Sequence, residues 1–144
     1  MTDLQTAKDN LAGHTICLCK GGDCLYSQKR GIAPMMDFIE SGVDLSGYCV
    51  ADIVVGKAAA LLFVKRGINK VFAKTLSQKA KSILETYGVY YEYETLTENI
   101  INRAGTDICP MEKAVANTDD PEEAYAILKK EIIRMKAIST DTPK

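Results

Sequence analysis

Three short stretches of the chain hold residue types that can do chemistry. In the first, Asp52, Gly56 and Lys57 fall within Ala51-Asp-Ile-Val-Val-Gly-Lys-Ala-Ala-Ala60. Read as the start of a helix, this segment would set Asp52 and free backbone N–H groups at the mouth of a pocket, a place that suits anions and polar ligands. Lys57 would neutralise a phosphate or carboxylate there. The alternative is that Asp52 caps the helix while Lys57 carries its stem out to solvent. In the second stretch, Cys109 precedes Pro110 and Glu112 follows three residues later. That is the spacing of a capping box with sulfur in place of a hydroxyl. A thiolate at a helix N-terminus is a candidate nucleophile or redox sensor, and Cys109 and Glu112 are the candidate catalytic residues. A structural cap with a buried thiol is the competing reading. The third stretch, Asn102-Arg103-Ala-Gly-Thr-Asp107, offers an amide, a guanidinium and a glycine that permits close backbone approach. It fits either a ligand loop or a plain surface loop.

What is missing narrows the chemistry as much. His14 is the only histidine among 144 residues, so no site within one chain can use paired imidazoles. The five cysteines are an odd number and the N-terminus, Met-Thr-Asp-Leu-Gln, has no export signal, so reduced thiols in a cytoplasmic protein are expected. A metal set of His14, Cys17, Cys19 and Cys24 is set aside in favour of core packing. The P-loop pattern fails as well, because Ala51–Ala58 has Gly-Lys without the first glycine or the hydroxyl.

The charge balance of 18 basic and 19 acidic residues gives −1, which excludes a general electrostatic grip on nucleic acid. The longest apolar run, Ala58–Val64, is far short of the roughly 20 residues of a membrane span. With 47% hydrophobic and 26% charged residues, the chain is expected to form one globular domain, 1–138, with a frayed tail at 139–144.

The elements that must position these residues follow from patterning. Leu4, Ala7 and Leu11 predict a helix over 2–12 that stops at Gly13. Thr15–Lys20, Gly21-Gly22 and Asp23–Ser27 read as a β-hairpin. A short helix is expected over Pro34–Glu40 and a loop over 41–47. The segment from Ala51 to Gly67, apolar nearly throughout and rich in small residues, reads as one buried central helix begun by Asp52. A strand over Lys70–Lys74 precedes a helix capped by Thr75 and Gln78, and Val89–Leu96 forms the next strand. Residues 99–107 are irregular or hold a short strand at Ile100 and Ile101. Pro110 opens a helix to about Asn117, and Asp120-Pro-Glu-Glu123 starts the last helix, over 121–136. The sum is a three-layer α-β-α domain whose mixed sheet opens with an antiparallel hairpin.

That element order resembles the cytidine deaminase-like fold. The motifs Val50-Ala-Asp-Ile-Val-Val-Gly-Lys-Ala-Ala-Ala and Ile108-Cys-Pro-Met-Glu-Lys-Ala are similar to those of a family of small bacterial and archaeal proteins assigned to that fold, for which no reaction is established. The resemblance runs from the first helix to Ala116. Zinc deaminases carry His-Ala-Glu or Cys-Ala-Glu at the central helix start and Pro-Cys-x-x-Cys at the next. The corresponding stretches are expected at Val50-Ala51-Asp52 and Thr75-Leu-Ser-Gln-Lys, where no residue can ligate zinc. No cofactor and no zinc are therefore expected. The resemblance implies a nucleotide-like or phosphorylated small molecule bound by Asp52, Gly56, Lys57, Asn102 and Arg103. The alternative is a non-catalytic interaction protein or homo-oligomer that uses Pro34-Met35-Met36 and Tyr90-Tyr91 as contacts.

Overall fold

The computed structural model describes residues 2–102 and 104–141, with side chains as far as Ala137. Among them are the helices α1 (Asp3–Asp9), α2 (Ala33–Ser41), α3 (Lys57–Lys65), α4 (Gln78–Thr86), α5 (Pro110–Ala114) and α6 (Pro121–Asp141), and the strands β1 (Ile16–Lys20), β2 (Asp23–Ser27), β3 (Cys49–Val55), β4 (Lys70–Ser77) and β5 (Tyr90–Thr97). The strands form one sheet in the order β2-β1-β3-β4-β5. β1 runs antiparallel to both neighbours, whereas β3, β4 and β5 are parallel.

The hairpin forms as its sequence predicts. Lys20 pairs with Asp23 across a two-residue turn, and Gly21 and Gly22 both hold positive φ, at 57° and 91°. Left-handed backbone at both central positions matches the strand twist, and glycine adopts it without a Cβ clash.

The sheet sorts its side chains by pleat. Leu4, Ala7 and Leu11 pack on Cys17, Cys19, Cys49, Ala51 and Phe72, so α1 covers one face alone. The opposite face carries the larger core, in which Ile16, Leu18, Val50 and Val71 meet α3 and α4. α2, α5 and α6 gather around α3, which is buried from Lys57 to Phe63. The three layers are therefore unequal.

The expected central helix from Ala51 is corrected. Residues 49–55 form the middle strand of the sheet, and the helix begins only at Lys57, after Gly56. β3 is buried on both faces from Cys49 to Asp52, and its apolar run continues through the exposed Ile53 and Val54 to Val55, the same signature as a buried helix. Val50, Ile53, Val54 and Val55 are β-branched and favour the strand, while Ala58–Ala60 favour the helix. The next helix also starts later than expected. β4 stays paired on both sides through Leu76, so Thr75 is strand and Ser77 is the cap, its Oγ accepting the Ala80 N–H at 3.0 Å.

Smaller differences follow the same logic. α1 ends at Asp9, where the Asn10 amide donates to the Thr6 carbonyl at 2.9 Å. The last helix continues to Asp141, past the expected end at 136, and 142–144 lie outside the described residues. Pro34, Met35 and Met36 are buried against α3 and cannot serve as a surface contact.

Candidate functional site

The three parallel strands deliver their carboxyl ends to one edge of the sheet, and there Gly56 joins β3 to α3. A helix start leaves N–H groups without intrahelical acceptors. Here the chain itself supplies them. Glu112, on α5, accepts the Lys57 N–H at 2.7 Å through Oε1 and the Ala58 N–H at 2.8 Å through Oε2. The carboxylate is 9% exposed and sits at the positive end of the α3 dipole.

Gly56 makes the contact possible. Its φ of −100° is open to any residue, so its need is for space. A Cβ there would stand 2.6 Å from Glu112 Cδ and 2.8 Å from Ile100 Cγ1. The N–H groups that an anion would need at this helix start are taken by the protein's own side chain. Glu112 is not the partner of Cys109 in a capping box. Cys109 occupies the N-cap of α5 without a side-chain hydrogen bond, and its thiol is half-buried and free.

Lys57 turns its backbone to Glu112 and its side chain the other way. The ammonium is not carried out to solvent: the residue is 7% exposed, and Nζ lies 2.9 Å from Asp119 Oδ1 and 3.3 Å from the Ala116 carbonyl. It closes the base of a cleft between α3, α4 and the segment before α6, where Lys79, Ser82 and Thr86 also contribute. Asp119 is 75% exposed at its side chain, so one half of this pair is wet.

Asp52 does not belong to the helix start. It lies within β3, opposite Ile16 and Ala73, four residues before Gly56. It is 6% exposed and pairs with no cation among the described residues. Burial pushes its carboxyl up to about 8, against a smaller opposing pull from the N–H groups of Ile53 and Val54. Near neutrality it is mostly a neutral acid. A lone aspartate inside the run Val50–Val55 was the sequence signal for this.

The 102–107 loop spends its polar atoms on itself. Asn102 Oδ1 accepts the Thr106 N–H at 3.0 Å, its Nδ2 donates to Thr106 Oγ1 at 3.2 Å, and a bridge between Ile101 and Ile108 closes the loop. Asp107 pairs with Lys113. Arg103 lies outside the described residues. The structure therefore brings together Gly56, Lys57 and Glu112, with Cys109 three residues from the carboxylate, and leaves Asp52 and Asn102 apart. Asp119 and Lys79 were not foreseen, because their proximity to Lys57 depends on how α4 and α6 dock.

The cysteines depart from expectation. Cys19 and Cys24 are joined in a disulfide across the hairpin, while Cys17, Cys49 and Cys109 are free. The sulfurs of Cys17, Cys19 and Cys24 lie within 4.8 Å of one another, a spacing at which reduced thiolates can hold a soft metal. With Cys19 bonded to Cys24, only Cys17 keeps a free thiol in this set. Burial raises the pKa of Cys17 and, with help from Asp3, that of Cys49. His14 takes no part: its ring packs on Tyr26 at 4.5 Å. The helix starts at Gly56-Lys57 and Ser77-Gln78 hold neither a thiol nor an imidazole.

Comparison with known proteins adds two findings. The family model of TM1506, a domain of unknown function (DUF1893), matches residues 7–132. A solved structure of a DUF1893 family protein (TM1506) from Thermotoga maritima is similar over 91% of each chain, at 27% identity and a TM-score of 0.83. No curated protein matches. No helix among the described residues is long and apolar enough to cross a membrane.

Proposed function

The chain belongs to the DUF1893 family, a domain of unknown function, and we propose that it binds a nucleotide-like or otherwise phosphorylated small molecule on a cytidine deaminase-like scaffold without a zinc site. The leading helix, hairpin, buried small-residue helix and two crossovers on which that resemblance rests support the scaffold. The observation that carries the ligand is Lys57. A buried ammonium is costly unless paired, and this one pairs with an exposed aspartate at the base of an open cleft. A phosphate entering the cleft takes the place of Asp119 at Lys57 and finds Lys79 and the hydroxyls of Ser82 and Thr86 beside it. The helix start of α3 is not part of this site, because Glu112 already holds its N–H groups.

Thermal denaturation against nucleotides, nucleosides and sugar phosphates tests the reading. A ligand at 100 times its Kd adds about 2.7 kcal/mol. For a domain of this size that is a rise of roughly 5–10 °C. Lys57→Met keeps the buried volume apolar and removes the rise, leaving Asp119 in water. A full panel without any shift overturns the proposal.

The interaction reading keeps one support. β5 is an edge strand of the sheet, eight residues long, with Tyr90 52% and Tyr93 39% exposed. An open edge of this length invites pairing with another strand. Light scattering across a concentration series would show a dimer if β5 pairs with its copy, and a monomer throughout would remove this reading.

A further inference from the structure

Lys79, Ser82 and Thr86 fall at i, i+3 and i+7 of α4 and so share the one face that lines the cleft with Lys57. Among the described residues, none of their side chains has a hydrogen-bond or ion-pair partner. The cleft measures about 170 Å³. That is below the roughly 300–1,000 Å³ of a pocket that takes in a whole small molecule. It has room for one charged end of a ligand, with the remainder lying over the surface.

Asp119 is held by its backbone rather than by Lys57. Its carbonyl accepts the Tyr87 hydroxyl at 2.7 Å. On one side the Asp120 N–H donates to Thr118 Oγ1 at 3.2 Å, and on the other Asp120 Oδ1 accepts the Glu122 N–H at 3.1 Å. With the segment tied in this way, the exposed carboxylate can leave Lys57 by turning its own side chain into water. The Ala116 carbonyl stays on Lys57 Nζ when it does.

We propose that this cleft selects doubly charged phosphate monoesters, and that Asp119 is the resident anion that keeps singly charged ligands out. The inference rests on the phosphate reading and names the class of ligand within it. A carboxylate of the same chain pairs with Lys57 without losing translational freedom, whereas a free anion loses it. A ligand with one charge therefore exchanges like for like and leaves that cost unmatched. A phosphate monoester carries two charges above its second pKa of about 6, so one replaces Asp119 at Lys57 and the other meets Lys79. Its three unesterified oxygens, against two in a diester, give acceptors to both ammonium groups and to the hydroxyls of Ser82 and Thr86. The two charged neighbours have separate effects. Asp119 competes with every anion alike and sets the threshold for binding, while Lys79 answers the second charge and sets the preference.

The test titrates the full chain at about pH 7.5 with methyl phosphate, dimethyl phosphate and acetate, followed by amide NMR shifts; only methyl phosphate is doubly charged there. Methyl phosphate moves the amides of Lys57, Ser82, Thr86 and Asp119, and it binds about tenfold or more tightly than the other two. Asp119→Asn keeps an oxygen for Lys57 and removes the charge, so methyl phosphate and dimethyl phosphate both tighten by a similar factor, about threefold or more. Lys79→Gln, at an exposed position with no partner to lose, weakens methyl phosphate about tenfold and dimethyl phosphate far less. Equal binding of the two esters, a preference unchanged in Lys79→Gln, or affinities unchanged in Asp119→Asn would each overturn the proposal and leave the phosphate reading standing. Methyl phosphate that moves none of these amides in either the original chain or Asp119→Asn overturns both.

Discussion

At pH 8, Asp52→Asn raises the unfolding free energy by about 5 kcal/mol, and the gain disappears by about pH 4. The carboxyl has an ordinary value of 3.8 in the unfolded chain and about 8 when folded. Below pH 4 both states hold the proton, so Asp52 has no effect. Between pH 4 and 8 the unfolded state releases its proton and the folded state keeps it, so stability falls as pH rises and levels off above the folded value. Each tenfold difference in proton affinity is 1.36 kcal/mol, which sets the size of the effect. Asparagine keeps an oxygen that accepts the Ile53 and Val54 N–H groups and has no proton to lose. Asp44, Glu92, Asp107 and Glu131 are shifted downward by their hydrogen-bond partners and act with the opposite sign, under acid conditions. Urea unfolding at pH 4, 6 and 8 separates these contributions. The original chain weakens across that series and Asp52→Asn stays nearly level. A parallel loss in both would refute the assignment.

Glu112→Ala costs about 2–4 kcal/mol, because two buried N–H groups of α3 lose a charged acceptor at once. Glu112→Gln costs about 2 kcal/mol: its single carbonyl oxygen serves one N–H, and its amide presents hydrogens to the other. Gly56→Ala reaches the same contact from the opposite side. Its Cβ would meet Glu112 Cδ at 2.6 Å and Ile100 Cγ1 at 2.8 Å, an overpacking worth about 1–3 kcal/mol. The double substitution Gly56→Ala/Glu112→Ala costs less than the sum, because removing the carboxylate gives the methyl room. Thermal melts read these differences at roughly 2–4 °C per kcal/mol. A Glu112→Gln chain as stable as the original would show that the two bonds contribute nothing net.

What the sequence could reveal was set by range. The Gly21-Gly22 hairpin and the proline-led starts of α2, α5 and α6 depend on neighbours within a few residues, and those elements lie where patterning puts them. Residues 49–65 defeated patterning because an apolar strand and a buried helix share one signature. Gly56 was the division between them, and its next neighbour Lys57 looked like a solvent-facing charge. Glu112 was placed correctly near a helix start, but the start it caps lies 54 and 55 residues away. No local spacing encodes such a partner. The cysteines failed on a different ground: the two-residue turn already sets Cys19 opposite Cys24, but five cysteines, an odd number, pointed to reduced thiols.

The contact between Gly56 and Glu112 also binds the two positions in inheritance. A side chain larger than hydrogen at 56 has no room while a carboxylate stands at 112, and losing the carboxylate leaves two amides at the start of α3 without an acceptor. Either change alone costs stability, so a lineage that alters one site passes through a weakened intermediate. Descendants of this chain should therefore keep the glycine and the glutamate together or lose them together, even where little else of the sequence survives.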